Sequence, residues 1–203
     1  LSEPKKRIRW LTHEEAARLL AELPPHLADM AAFSLATGLR EANVTGLQWP
    51  DVDLERRVAW VHHDESKTKR ALGVPLNVDA VLILRRWLGK HPTHVFCYTR
   101  QIDGKPVAAP IAECNSAAWY KALKRAGIEN FRWHDLRHSW ASWHVQAGTP
   151  LHVLQEMGGW SSIDLVMRYA HLASEHLADH ADRIATRLHA VPRARDKNVQ
   201  GRD

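Results

Sequence analysis

The stretch DVDLERRVAWVHHDESKTKRALGVPL, residues 51–76, interrupts a chain whose other patterns are helical. It combines β-branched residues, local alternation and turn-forming Asp, Ser and Gly. That pattern predicts antiparallel strands near 51–54, 58–63 and 70–75, with DESKTK at the tip between the last two. A sheet this small cannot hold itself together in water and must pack on helices. The expected fold is therefore mainly α with a small antiparallel β-sheet, an α+β architecture.

On the N-terminal side, Thr12 and Glu15 form a capping box, and HEEAARLLAEL keeps helical spacing until Pro24 and Pro25 stop it. HLADMAAFSLATGLR predicts a second helix ended at Gly38, and REANVTGLQW a short third element. NVDAVLILRRWLGK is helical again. The stretch from His91 to Pro110, with three prolines and Gly104, reads as an irregular connection. Helices are then expected at about 111–126, 134–147, 150–157, 161–171 and 174–189. VPRARDKNVQGRD has almost no apolar content and predicts a mobile basic tail. The expected organisation is one domain over residues 1–190 followed by the tail, 191–203.

A chain of 203 residues can bury one good core, or one core with a small satellite. With 45% hydrophobic and 25% charged residues, the composition argues against global disorder. No apolar run is long enough to span a bilayer and no signal peptide is evident, so the expectation is a cytoplasmic protein without a membrane partner. Two cysteines, Cys97 and Cys114, are too few for a disulfide framework or a cysteine-rich zinc site. The formal net charge of +5, with 14 histidines besides, favours a polyanionic partner without identifying one. The chain begins at Leu1 rather than Met, which suggests further sequence upstream.

The chemistry concentrates in FRWHDLRHSWAS, residues 131–142. His134 and His138 are spaced i, i+4 on one helical face, as are His176 and His180. The metalloprotease pattern requires Glu directly after the first His, whereas Asp135 stands here and spacing fixes no third ligand. His134 and Arg137, at i and i+3, converge instead on one point. An Arg fork suits two phosphate oxygens, and a neighbouring His can trade a proton. H-x-x-R alone fits a solvated face equally well. His138 reads as a residue that supports the fold.

Further pieces lie elsewhere. ATGLREANVTGLQWPDVD sets Arg40 directly after a Gly helix stop, at the start of a new helix. SKTK sets Lys67 at the hairpin tip, with Lys69 as its rival. GGWSSIDLVMRYAHL sets Trp160 before a Ser161 cap and Tyr169 two turns into the following helix. Leu165, Val166 and Leu172 lie at helical spacing from Tyr169, which also fits a core aromatic. Of the three tyrosines, Tyr98, Tyr120 and Tyr169, only the last stands in a motif.

Taken in order, TGLR, the hairpin lysine, HDLRH and GGWSSIDLVMRYAHL resemble the tyrosine recombinases of the phage integrase family, from about Leu11 to Leu172. The separations agree: 23 residues from Arg137 to Trp160 and 9 from Trp160 to Tyr169. The resemblance implies a catalytic domain that cleaves and rejoins double-stranded DNA site-specifically, in support of integrating or excising a mobile element. Tyr169 would be the nucleophile, leaving a 3′-phosphotyrosine and a free 5′-hydroxyl. Arg40 and Arg137 would clamp the non-bridging oxygens, His134 would bond the phosphate and help move the proton, and Lys67 would be the acid. Trp160 stands where many members carry a second His, either donating its indole N–H or packing.

No metal or cofactor is implied. An upstream DNA-clamping domain is expected outside this chain, with a tetramer on DNA and a monomer when free. Three residues after Arg40, where the family usually carries an acid, this chain has Asn43; Glu41 is the nearby substitute. His171 is a candidate brace for the tyrosine helix. The competing readings are an inactive DNA-binding domain, a type IB topoisomerase-like nicking-closing enzyme and a metal-dependent hydrolase.

Overall fold

The computed structural model describes residues 9–62 and 71–173. Lys67, Lys69, the hairpin tip, the helix expected at 174–189 and the C-terminal tail therefore lie outside the described residues.

The chain opens with α1 (His13–Glu22), whose N-cap Thr12 and Glu15 bond each other's backbone N–H as the capping box requires. Pro25 opens α2 (Pro25–Thr37) at a first-turn position, where its missing N–H has no helical partner to lose. Arg40 then occupies the N-cap position of the five-residue α3 (Glu41–Thr45) without a side-chain cap hydrogen bond. The three-stranded sheet has β1 (Val52–Asp53), β2 (Val58–Val61) and β3 (Leu72–Pro75), all antiparallel in the order β1-β2-β3. It packs through Ala59, Val61 and Val74 into the same core as the helices.

After α4 (Val78–Trp87) the structure departs from the expected irregular connection. Residues 97–110 form a hairpin of β4 (Cys97–Ile102) and β5 (Lys105–Pro110). Asp103 and Gly104 both take positive φ, 51° and 75°, the conformation of the two-residue turn that joins twisted strands. The prolines are tolerated because each strand of a two-stranded ribbon has one side free of ladder bonds. Among the described residues the fold thus has two small sheets rather than one.

The rest is helical: α5 (Ala117–Arg125), α6 (Asp135–Gln146), α7 (Leu151–Gly158) and α8 (Asp164–Met167), followed by a 3₁₀ turn at Ala170–Ala173. The helix expected over 161–171 is therefore only one turn of α-helix, and Tyr169 sits between it and the 3₁₀ turn. Its start is not capped by Ser161; the Ser162 hydroxyl accepts from the Asp164 N–H instead.

Two cores meet on α6. Leu136 faces the main one, which gathers α1, α2, α4, α5 and the sheet around Met30, Phe33, Phe96 and Trp119. Trp140, Ala141 and Val145 face the second, shared with Leu154, Val166 and Tyr169. The segment before α1 is strapped to α6, with Ser139 Oγ accepting from the Leu11 N–H and Trp143 Nε1 donating to the Leu11 carbonyl. The HDLRH segment thus lies at the start of the helix that joins both cores.

Candidate active site

The TGLR segment is shaped by Thr37 and Gly38. Thr37 Oγ1 donates to the Phe33 carbonyl, and Gly38 takes φ of 70° to end α2. A Cβ on Gly38 would lie 2.3 Å from the Trp140 ring, so glycine is required twice over. Leu39 is buried, which turns Arg40 outward to the solvent.

Arg137 is 5% exposed. Its Nη1 donates to the Gly38 carbonyl at 2.7 Å and its Nη2 to the Gly158 carbonyl at 2.6 Å, so the guanidinium ties the end of α2 to the end of α7. Its carbon lies 4.1 Å from the centre of the Trp160 ring, which in turn stacks on Trp140 at 6.0 Å. Gly158 makes this approach possible, because a Cβ there would lie 2.0 Å from the Trp160 ring. Trp160 is therefore a packing platform for the arginine.

No carboxylate lies within ion-pair distance of Arg137 among the described residues. Burial, and after it the charge of Arg40, pushes the Arg137 pKa down to about 10. A buried cation beside a second cation, with only carbonyl oxygens as partners, is a socket for an anion.

His134 occupies the N-cap position of α6 with helical backbone angles and lies exposed at the rim. The protein packed against its ring, then the charge of Arg137, lower its pKa, so the imidazole is neutral. His138 does more than support the fold. Its Nδ1 lies 2.6 Å from the Tyr169 hydroxyl, and its ring meets that of His134 edge-on at 5.2 Å. Tyr169 is 1% exposed, and burial pushes its pKa up to about 12 against the opposing pull of Arg168 and Arg137. The other two tyrosines, Tyr98 and Tyr120, are exposed.

Glu41 does not stand in for the acid missing at Asn43. Its Oε1 accepts from the backbone N–H groups of Cys114 and Asn115, anchoring the loop before α5. The Asp51 carboxylate meets His62. His171 is exposed. Leu72, the first residue of β3, lies against Gly159, so β3 begins beside the site. An open groove of about 950 Å³ reaches His134 and His138 and is lined by Arg9, Lys124, Arg132 and Arg168 together with Glu129 and Asp135. The structure thus brings Arg40, His134, Arg137, Trp160 and Tyr169 together, and adds His138. His138 sits one turn from His134 on the same face, the signal that could have found it in the sequence.

The phage integrase family model matches residues 9–176. The chain belongs to the phage integrase family. It is 50% identical over 188 residues to the integrase of Salmonella phage P22, covering 90% of this chain and 49% of that protein. It is 31% identical to tyrosine recombinase XerC of Xanthomonas campestris pv. campestris, covering 97% of this chain and 59% of that protein. The chain thus spans about half of the relatives it matches. The catalytic domain of bacteriophage HP1 integrase superposes with a TM-score of 0.65 at 27% identity, over 87% of this chain and 95% of that domain. The Tn1549 transposon integrase in complex with circular intermediate DNA has a TM-score of 0.68 at 21% identity, over 83% of this chain and 64% of that one. This integrase-family chain therefore carries the family's mainly helical fold with small antiparallel sheets.

Proposed function

We propose that the chain is the catalytic domain of a site-specific DNA recombinase that cuts and rejoins double-stranded DNA through a 3′-phosphotyrosine. The observation that carries this reading is the anion socket: Arg137, buried without a carboxylate partner among the described residues, lies beside Arg40 and in the same cluster as the Tyr169 hydroxyl. A scissile phosphate seated there supplies the missing negative charge. Attack by Tyr169 builds further charge on the non-bridging oxygens, where preorganised Arg40 and Arg137 donors stabilise the transition state. His134 bonds the same phosphate from the rim, and Trp160 holds the Arg137 plane.

Lys67 is the proposed acid for the departing 5′-oxygen. The covalent linkage conserves the bond energy, so rejoining needs no nucleotide hydrolysis. The recombinase names of the relatives and the DNA complex of the Tn1549 integrase support this substrate. Four copies would act together on DNA in the cytoplasm, while the free chain sediments as a monomer.

The test uses a library of nicked duplexes with a randomised core, in which cleavage releases a short strand and traps the enzyme. The proposal predicts a covalent band that survives denaturation with the unaltered chain and is absent with Tyr169→Phe. DNA binding without an adduct anywhere in the library would contradict it.

A further inference from the structure

Proton transfer from the nucleophile needs an acceptor in contact with the hydroxyl before the phosphorus–oxygen bond forms. Resting on the function proposed above, we propose that His138, through Nδ1, accepts the Tyr169 proton during strand cleavage. The contact is direct, Oη to Nδ1 at 2.6 Å, with the rings 5.9 Å apart and tilted by 46°. It is the hydrogen bond that the structure gives the Tyr169 hydroxyl among the described residues. His134 makes no such bond and sits at the rim, so the two histidines divide the work: His134 faces the phosphate and His138 the nucleophile.

The protonation states set the direction of the bond. Burial, and after it the neighbouring His134, depresses His138 to about 4, while Tyr169 is raised to about 12. The imidazole is therefore neutral with a lone pair on Nδ1 and its hydrogen on Nε2, and the phenol donates. With that separation the proton stays on oxygen in the free protein, so no phenolate is stored in advance.

Transfer accompanies bond making, because an oxygen becoming part of a phosphate ester loses its basicity. An Oη lone pair forms the bond to phosphorus, the Oη proton passes to His138 Nδ1, and the P–O5′ bond breaks with its electron pair on O5′. The general acid then protonates O5′. In rejoining, the 5′-hydroxyl returns its proton to the general acid as O5′ attacks phosphorus, the P–Oη bond breaks with its electron pair on Oη, and the imidazolium returns its proton to Tyr169. The charged and titratable groups facing His138 are His134, Asp135, Arg137, Arg168 and Tyr169. Of these, Asp135 favours the imidazolium, and a bound phosphate would add to that pull. His138 also lines the 950 Å³ groove, which gives the transferred proton an exit to solvent.

The experiment measures single-turnover cleavage of a nicked duplex selected from the library, with the unaltered chain, His138→Ala and His138→Asn. Each is prepared with tyrosine or with a fluorinated tyrosine of lower phenol pKa at position 169. The asparagine Oδ1 accepts a hydrogen bond near the Nδ1 position but takes no proton. Both variants should bind the duplex as the unaltered chain does and cleave on the order of 10²-fold more slowly. Fluorotyrosine should recover part of the loss in both.

Cleavage by His138→Asn at the unaltered rate would reduce His138 to a positioning residue and overturn the proposal. Faster cleavage by His138→Ala would make the contact a latch, and no recovery with fluorotyrosine would place the proton elsewhere; each overturns it. If His138→Ala does not fold, His138→Asn carries the same comparison. An unaltered chain that forms no adduct refutes the proposed function itself, whereas equal rates in all three refute only the role of His138.

Discussion

Acidification probes the His138–Tyr169 contact in the free protein, without DNA. His138 is held neutral, with its pKa pushed from 6.5 to about 4 by burial and then by His134. The folded state therefore binds that proton less readily than the unfolded chain. A depressed folded-state pKa contributes stability that is present above 6.5 and is lost as the pH falls toward 4. The difference corresponds to about 3 kcal/mol in all, of which about 2 kcal/mol is lost between pH 7 and pH 4.5. Urea unfolding at the two pH values, for the unaltered chain and for His138→Asn, isolates this contribution. His26 and His144 are also depressed and titrate in both proteins, so they cancel in the comparison, while the loss assigned to His138 includes its coupling to His134. The unaltered chain should lose about 2 kcal/mol more than the variant. Equal losses would refute a half-buried, neutral His138 bonded to the phenol.

Four further substitutions follow from the Arg137 socket. Gly158→Ala sets a methyl 2.0 Å from the Trp160 ring, and should lower stability by about 1–3 kcal/mol in denaturant unfolding and abolish adduct formation. Trp160→Phe keeps an aromatic face under Arg137 and should cleave at close to the unaltered rate. Trp160→Ala loses about 0.5–2 kcal/mol of cation–π contact and should cleave roughly tenfold more slowly in single-turnover assays. In Arg137→Lys the ammonium reaches one of the two carbonyls and leaves the other unpaired. It should cost about 1–3 kcal/mol in thermal or urea unfolding and slow cleavage on the order of 10²–10³-fold.

The motif residues were legible because their geometry is local. Gly38 ends a helix and sets the direction of Arg40, and the spacing of His134 and Arg137 on α6 needs no tertiary information. Contacts between distant segments were not legible. The partner of His138 is 31 residues away, and the sequence suggests no more than that His138 shares a face with His134. Glu41 was similarly ambiguous, because the donors to its carboxylate are backbone N–H groups 73 and 74 residues downstream. The β4–β5 hairpin was hidden by its prolines, although Asp103-Gly104 carried the turn signal. Tyr169 followed only one turn of α-helix because the Ser162 hydroxyl, rather than Ser161, starts that turn.

The most direct test of the account is to digest the trapped protein–DNA adduct and locate the modified residue by mass spectrometry. The account predicts a single linkage, on Tyr169, to the 3′-phosphate of the cleaved strand. A linkage through exposed Tyr120 or Tyr98, or to a 5′-phosphate, would contradict it.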